Sequence, residues 1–68
     1  MVSVTHHRSG RIDICRDGHH VACVETPAEV GAILAEMGVQ PEYLVDVQIA
    51  NGTDDRVAAR SYMGESVA

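Results

Sequence analysis

Lysine, phenylalanine and tryptophan are missing from this 68-residue chain, cysteine and proline occur twice each, and Tyr43 and Tyr62 are its only aromatic residues. Each shortage excludes something. Neither tyrosine belongs to a basic strand, so the sequence offers no stacking platform for single-stranded nucleic acid. The five basic side chains, all arginine, stand against ten acids and leave a net charge of −5. Sequence-independent binding to DNA or to an anionic membrane needs a basic footprint, which such a chain lacks. Small disulfide scaffolds carry four or more cysteines, so Cys15 and Cys23 are read as free thiols. Apolar runs are as short as Val21-Ala22-Cys23-Val24, against the roughly 18 residues that cross a bilayer. The first residues show no charged lead into an apolar stretch, which reads as no signal peptide and a cytoplasmic protein. Glycines at 10, 18, 31, 38, 52 and 64 match neither a dinucleotide fingerprint nor a P-loop, and no cofactor is expected.

What is present describes one small domain, residues 1–62, followed by a tail at 63–68 expected to fray. Turn signals at Arg8-Ser9-Gly10 and Asp17-Gly18 divide the beginning into three strands, 2–7, 11–16 and 19–25. Asp17-Gly18 suits a two-residue type I′ hairpin, whose two central residues both take positive φ. That turn opposes Arg16 to His19, Cys15 to His20, Ile14 to Val21 and Ile12 to Cys23, so Ile12, Ile14, Val21 and Cys23 are expected to share the core face. A two-residue first turn would point Val2 and Val4 outward. A three-residue loop with Gly10 in a bulge restores them, opposing Val4 to Ile14 and His6 to Ile12.

Thr26-Pro27-Ala28-Glu29 spells a helix start, with a hydroxyl cap, proline at the first position and glutamate closing a capping box. Val30, Ile33, Leu34 and Met37 then form one apolar stripe. From Leu44 onward Val45, Val47 and Ile49 alternate with Asp46 and Gln48, the pattern of a half-buried strand. Residues 51–55 read as a loop, and 56–62 as a weaker final strand. The result is an α+β domain of βββαββ order, a mainly antiparallel sheet of four or five strands with one helix on one face. Pattern alone leaves open whether the fourth strand lies beside the first or the third.

Four histidines occur as His6-His7 and His19-His20. Neighbours on a strand point to opposite faces, so neither pair closes on one metal, and no three are expected to converge. Cys15 opposite His20 resembles a thiol beside its base but lacks an orienting group and oxyanion donors. Opposite strand parity argues against a Cys15–Cys23 bridge. No catalytic constellation emerges, and Asp54-Asp55 reads as a solvated turn.

Surface chemistry remains. Residues 25–55 hold Glu25, Glu29, Glu36, Glu42, Asp46, Asp54 and Asp55 and no arginine. This acidic stretch is the candidate partner-binding surface, suited to a basic groove that normally holds nucleic acid. A second candidate is the sheet face away from the helix, expected to carry an apolar strip of Cys15, Ala22 and Val24 among Ser3, Thr5 and His20. Pairing along the last strand is a third route. The leading functional expectation is a small non-enzymatic inhibitor or adaptor that docks on a larger protein. Examples are a phage or mobile-element inhibitor of a host complex such as a CRISPR effector, and an antitoxin or immunity protein. The alternative is a histidine-based metal- or pH-responsive regulator. So small a core would also gain from a homodimer.

Overall fold

The computed structural model describes residues 1–50, 52 and 54–63. Its elements are β1 (Val2–His6), β2 (Ile12–Arg16), β3 (His19–Val24), α1 (Pro27–Glu36), β4 (Leu44–Ile49), β5 (Asp54–Ala58) and α2 (Arg60–Met63). The five strands form one sheet in the order β3-β2-β1-β4-β5. The fourth strand therefore lies beside the first. That pair is parallel, and the other three pairings are antiparallel. The chain leaves the β3 edge, crosses one face of the sheet as α1, and enters β4 on the free side of β1.

Strand alternation supplies the core. Val2 and Val4, Ile12 and Ile14, and Val45 and Val47 are buried on the helix side, where they meet Val30 and Leu34 of α1 and Ala59. Ile33 and Met37 flank the helix stripe, half-buried against the same cluster. Ile49, the third residue of the β4 alternation, ends the strand and is exposed. The helix start is as its residues imply: Thr26 Oγ1 accepts from the Glu29 backbone N–H, and Glu29 Oε1 accepts from the N–H groups of Thr26 and Glu25, both at 3.1 Å.

Both early turns take the expected form. The backbone N–H of His7 donates to the Arg11 carbonyl and that of Gly10 to the His7 carbonyl, with Gly10 at φ +99°, and the register opposes Val4 to Ile14 and His6 to Ile12. Asp17 and Gly18 both have positive φ, 52° and 84°, and Arg16 and Cys15 oppose His19 and His20. Beyond that point the expected register fails. The ladder shifts between Ile14 and Cys15, so that Ile14 opposes Ala22, Asp13 opposes Cys23 and Ile12 opposes Val24.

Val21 is the additional residue of this bulge, and one additional residue reverses every later side chain of β3. Val21 is 42% exposed and Cys23 is exposed, contrary to their expected core positions. Ala22 and Val24 are half-buried instead, and Val24 packs on the core. The exchange is favourable because the larger apolar Val24 replaces Cys23 at the helix boundary. Bulges also twist an edge strand away from unwanted pairing.

The end of the chain departs from expectation as well. Asp54 and Asp55 belong to a strand, not a loop, because they complete the ladder opposite Gln48 and Val47. The final strand stops at Ala58, after which the Ala59 N–H donates to the Tyr43 carbonyl and the Arg60 N–H to the Pro41 carbonyl, and the chain turns into α2. Residues 60–62 are thus helical, and Met63, expected in a frayed tail, packs against the core. The rest of that tail lies outside the described residues, as do Asn51 and Thr53 of the expected loop.

α2 docks on α1 through a backbone contact that only glycine permits. A Cβ at Gly31 would stand 2.1 Å from the Tyr62 carbonyl oxygen and 2.9 Å from the Met63 Cα. Because the obstruction is backbone, no side-chain rotation relieves it. Gly31→Ala is expected to destabilise the domain by about 1–3 kcal/mol despite alanine's better helix propensity. Urea unfolding measures this, and hydrogen exchange should show residues 60–63 losing protection first.

Candidate functional site

With α1 and α2 on one side, the opposite face of the sheet is uncovered among the described residues. Its side chains form two rows that cross all five strands. One runs His20, Cys15, Ser3, Asp46, Arg56; the other runs Cys23, Asp13, Thr5, Gln48, Asp54. The expected apolar strip is absent from this face, because the bulge sends Ala22 and Val24 to the helix side. Small polar groups occupy the centre, Ser3 and Thr5 on β1, with Thr5 Oγ1 3.4 Å from Gln48 Oε1. Charged groups stand to either side.

On the β4–β5 side Arg56 Nε donates to Asp46 Oδ1 at 3.0 Å. The Arg56 backbone N–H donates to the Asp55 carboxylate at 2.8 Å. One donor of this edge strand is thereby occupied by its own neighbour, which weakens the expectation of pairing along the last strand. A shallow hollow of about 320 Å³ lies here, lined by Asp46, Val47, Gln48, Asp54, Asp55 and Arg56.

On the other side Asp13 gathers His7 from just after β1, Arg11 from just before β2 and His20 from β3. His7 Nε2 lies 2.7 Å from its Oδ2, and His20 Nε2 and Arg11 Nε lie 3.5 and 3.8 Å from its Oδ1. The hydrogen bond from His7 is the main cause that holds the Asp13 carboxyl below the ordinary carboxylate range, opposed by partial desolvation and assisted by Cys23, Arg11 and His20. The same neighbourhood acts oppositely on Cys23, whose thiol is pushed up by burial and by the adjacent Asp13. A raised thiol is a poor nucleophile.

His7 and His20 converge on one carboxylate, that of Asp13. Their side chains reach it from either side because Asp13 lies on the strand between them. Even so, no group of three or more His, Cys, Asp or Glu side chains among the described residues could hold a metal ion. Asp13 also puts beside His20 the carboxylate that the Cys15–His20 pair lacked in the sequence, but the face is open and no cleft excludes water from the thiol. Cys15 and Cys23 lie on the same face, contrary to their expected opposite parity, and both are free. His6 takes the helix side, where its Nε2 lies 2.7 Å from the Tyr62 hydroxyl with the rings stacked. His19 sits at the β2–β3 turn.

The seven acids of the candidate surface are not one patch. Asp46 and Asp54 lie on the open face and Asp55 on the adjoining edge, whereas Glu25 and Glu29 flank the start of α1, Glu36 ends it, and Glu42 lies in the following loop. Glu29 is committed to the capping box, whose hydrogen bonds lower its pKa, and Asp46 to Arg56. Glu25, Glu36, Glu42, Asp54 and Asp55 form no ion pair among the described residues. The Asp13 cluster escaped the sequence reading because His7 and His20 meet Asp13 diagonally across neighbouring strands and not at directly opposed positions; the bulge adds only Cys23 to the group. Its signal was the alternation that puts His7 and Asp13 on one parity.

Comparison with protein families, curated proteins and solved structures finds no match. No helix is long and apolar enough to cross a membrane among the described residues.

A consequence for acid stability follows. Asp13, Asp17 beside the N-terminal ammonium, and Glu29 all have depressed folded pKa values. A depressed carboxyl contributes stability above its unfolded pKa of about 4, and the contribution is lost as pH falls through the folded value. The urea midpoint is therefore expected to drop steadily below about pH 4. In Asp13→Asn the midpoint should start lower at neutral pH and fall less on acidification.

Proposed function

We propose that this chain is a small acidic protein-binding module without enzymatic activity, an inhibitor or adaptor that docks on a larger protein bearing a basic surface. The observation that carries the reading is the polar sheet face left uncovered among the described residues, with Asp54 on its β5 side and Asp55 at the adjoining edge, neither in an ion pair among those residues. The opposite face is occupied by helices, the β3 edge is twisted by its bulge, and the β5 edge is partly blocked by Asp55. A flat face of small polar side chains suits a protein surface better than a small molecule, which needs a deeper, more apolar enclosure. Exposed carboxylates add encounter rate and orientation toward Arg and Lys.

Proteins that handle nucleic acid present such surfaces. A CRISPR effector blocked by a phage or mobile-element inhibitor and a basic nuclease held by an antitoxin or immunity protein are the partner types that fit, with the cytoplasm as site of action. Self-association through the same face is the competing arrangement. The alternative of a metal-responsive regulator has no ligand set among the described residues to support it, whereas proton responsiveness has a specific observation, the convergence of His7 and His20 on Asp13.

Affinity capture from the source lysate tests the reading with three baits: the wild type, Asp54→Asn/Asp55→Asn, and Glu36→Gln/Glu42→Gln. A specific protein should be retained by the wild type at about 0.05 M salt and released by about 0.5 M, as expected for exposed charge pairs. The β5 variant should weaken retention about tenfold, and the helix-side variant should not. Retention that survives high salt, or that depends on Glu36 and Glu42, would contradict the reading.

A further inference from the structure

The open face carries a feature that bears on how docking is controlled, and the inference rests on the docking reading above. Asp13 sits between two imidazoles held by different strands, His7 after β1 and His20 on β3, at 2.7 and 3.5 Å. Its other neighbours are Arg11 just before β2, Cys15 on β2, Thr5 on β1 and Cys23 on β3, with Glu25 acting on Cys23 from just beyond that strand. No element packs over the group among the described residues, so protons reach it directly. Both imidazoles retain solvent contact, at 35% and 58% exposure.

We infer that His7, Asp13 and His20 form one proton-operated unit that reverses the sign of the open face and thereby releases a basic partner on mild acidification. With neutral imidazoles the face holds Asp13, Asp46 and Asp54 against Arg11 and Arg56, a formal charge of −1; two protonated imidazoles make it +1. Imidazole is the side chain that changes charge between about pH 8 and 5. Because one carboxylate faces both rings, protonation of either alters the field at the other. A second proton also draws Asp13 fully into ion pairs within the β1–β2–β3 half of the face. The acceptor that a partner's arginine would otherwise meet is then withdrawn. His6 and His19 lie away from Asp13 and are not part of the unit.

Two measurements on the full chain test this. In NMR titrations from about pH 8 to 5, the ring resonances of His7 should follow a different curve in His20→Gln than in the wild type. Asp13→Asn should displace the curves of both His7 and His20 and leave that of His19 in place. Superimposable His7 curves in all three proteins would overturn the coupled unit.

In the second measurement, an oligoarginine peptide serves as the basic probe, followed by fluorescence anisotropy. Affinity should fall about tenfold between pH 7.5 and 5.5 in the wild type and in His19→Gln, and stay nearly flat in His7→Gln/His20→Gln. Coupled titration with binding that ignores pH would overturn the regulatory inference while leaving the docking reading intact. Coupled titration with no binding at either pH would overturn the docking reading and, with it, the regulation built on it.

Discussion

One layer of aliphatic side chains holds this protein together, and every other feature is arranged around the fact that it has only one side. Val4, Ile14, Val30, Leu34 and Val45 are the largest fully buried groups, and all are of modest size. No aromatic residue thickens the layer, apart from Tyr62 at its margin. A core of this kind can cover one face of a five-stranded sheet and no more. Among the described residues the other face is left bare, which follows from the amount of apolar material available, and there polar residues of adjacent strands are brought into register.

The bulge at Val21 links the core to the surface. An unbulged hairpin would put Val21 and Cys23 under the helix and leave Ala22 and Val24 outside, giving an apolar outer strip prone to nonspecific association. With the bulge, Val24 joins the core, Cys23 comes to lie opposite Asp13, and the outer face becomes polar across all five strands. The same residue thus stabilises the interior, guards the β3 edge and completes the group around Asp13.

Much of the fold is legible in the sequence because short-range signals there are strong. Thr26-Pro27 with Glu29, the Asp17-Gly18 turn, and the alternation through Val45 and Val47 each specify local geometry by sterics or hydrogen bonding, and each appears as written. The three-residue loop at Arg8-Ser9-Gly10 was recoverable by asking which length buries Val4. The same question, put to β3, has two nearly equivalent answers, since Val21 with Cys23 and Ala22 with Val24 are both apolar pairs. Only packing against α1 decides between them, and that is long-range information. Asp54-Asp55 misleads for a similar reason: turn propensity favours a loop, and the unpaired edge of β4 overrides it.

The candidate site was less legible than the fold. Acidic residues could be counted but not placed, so a run from Glu25 to Asp55 looked like one surface. In the structure its members divide between helix cap, helix end, loop and sheet. The histidines could be assigned a face only once both turns were known, and the convergence of His7 and His20 on Asp13 depends on a strand lying between theirs. The unit is therefore a property of topology, invisible to spacing along the chain.

The account stands on the parity of β3, and cross-strand nuclear Overhauser effects in the isotope-labelled protein test it most directly. Effects pairing Asp13 with Cys23 and Ile12 with Val24, together with contacts from the Val24 methyls to the core valines, are the expected result. Effects pairing Ile12 with Cys23 and Ile14 with Val21 would return the hairpin to its unbulged register, put an apolar strip on the open face, and contradict the polar face proposed for docking.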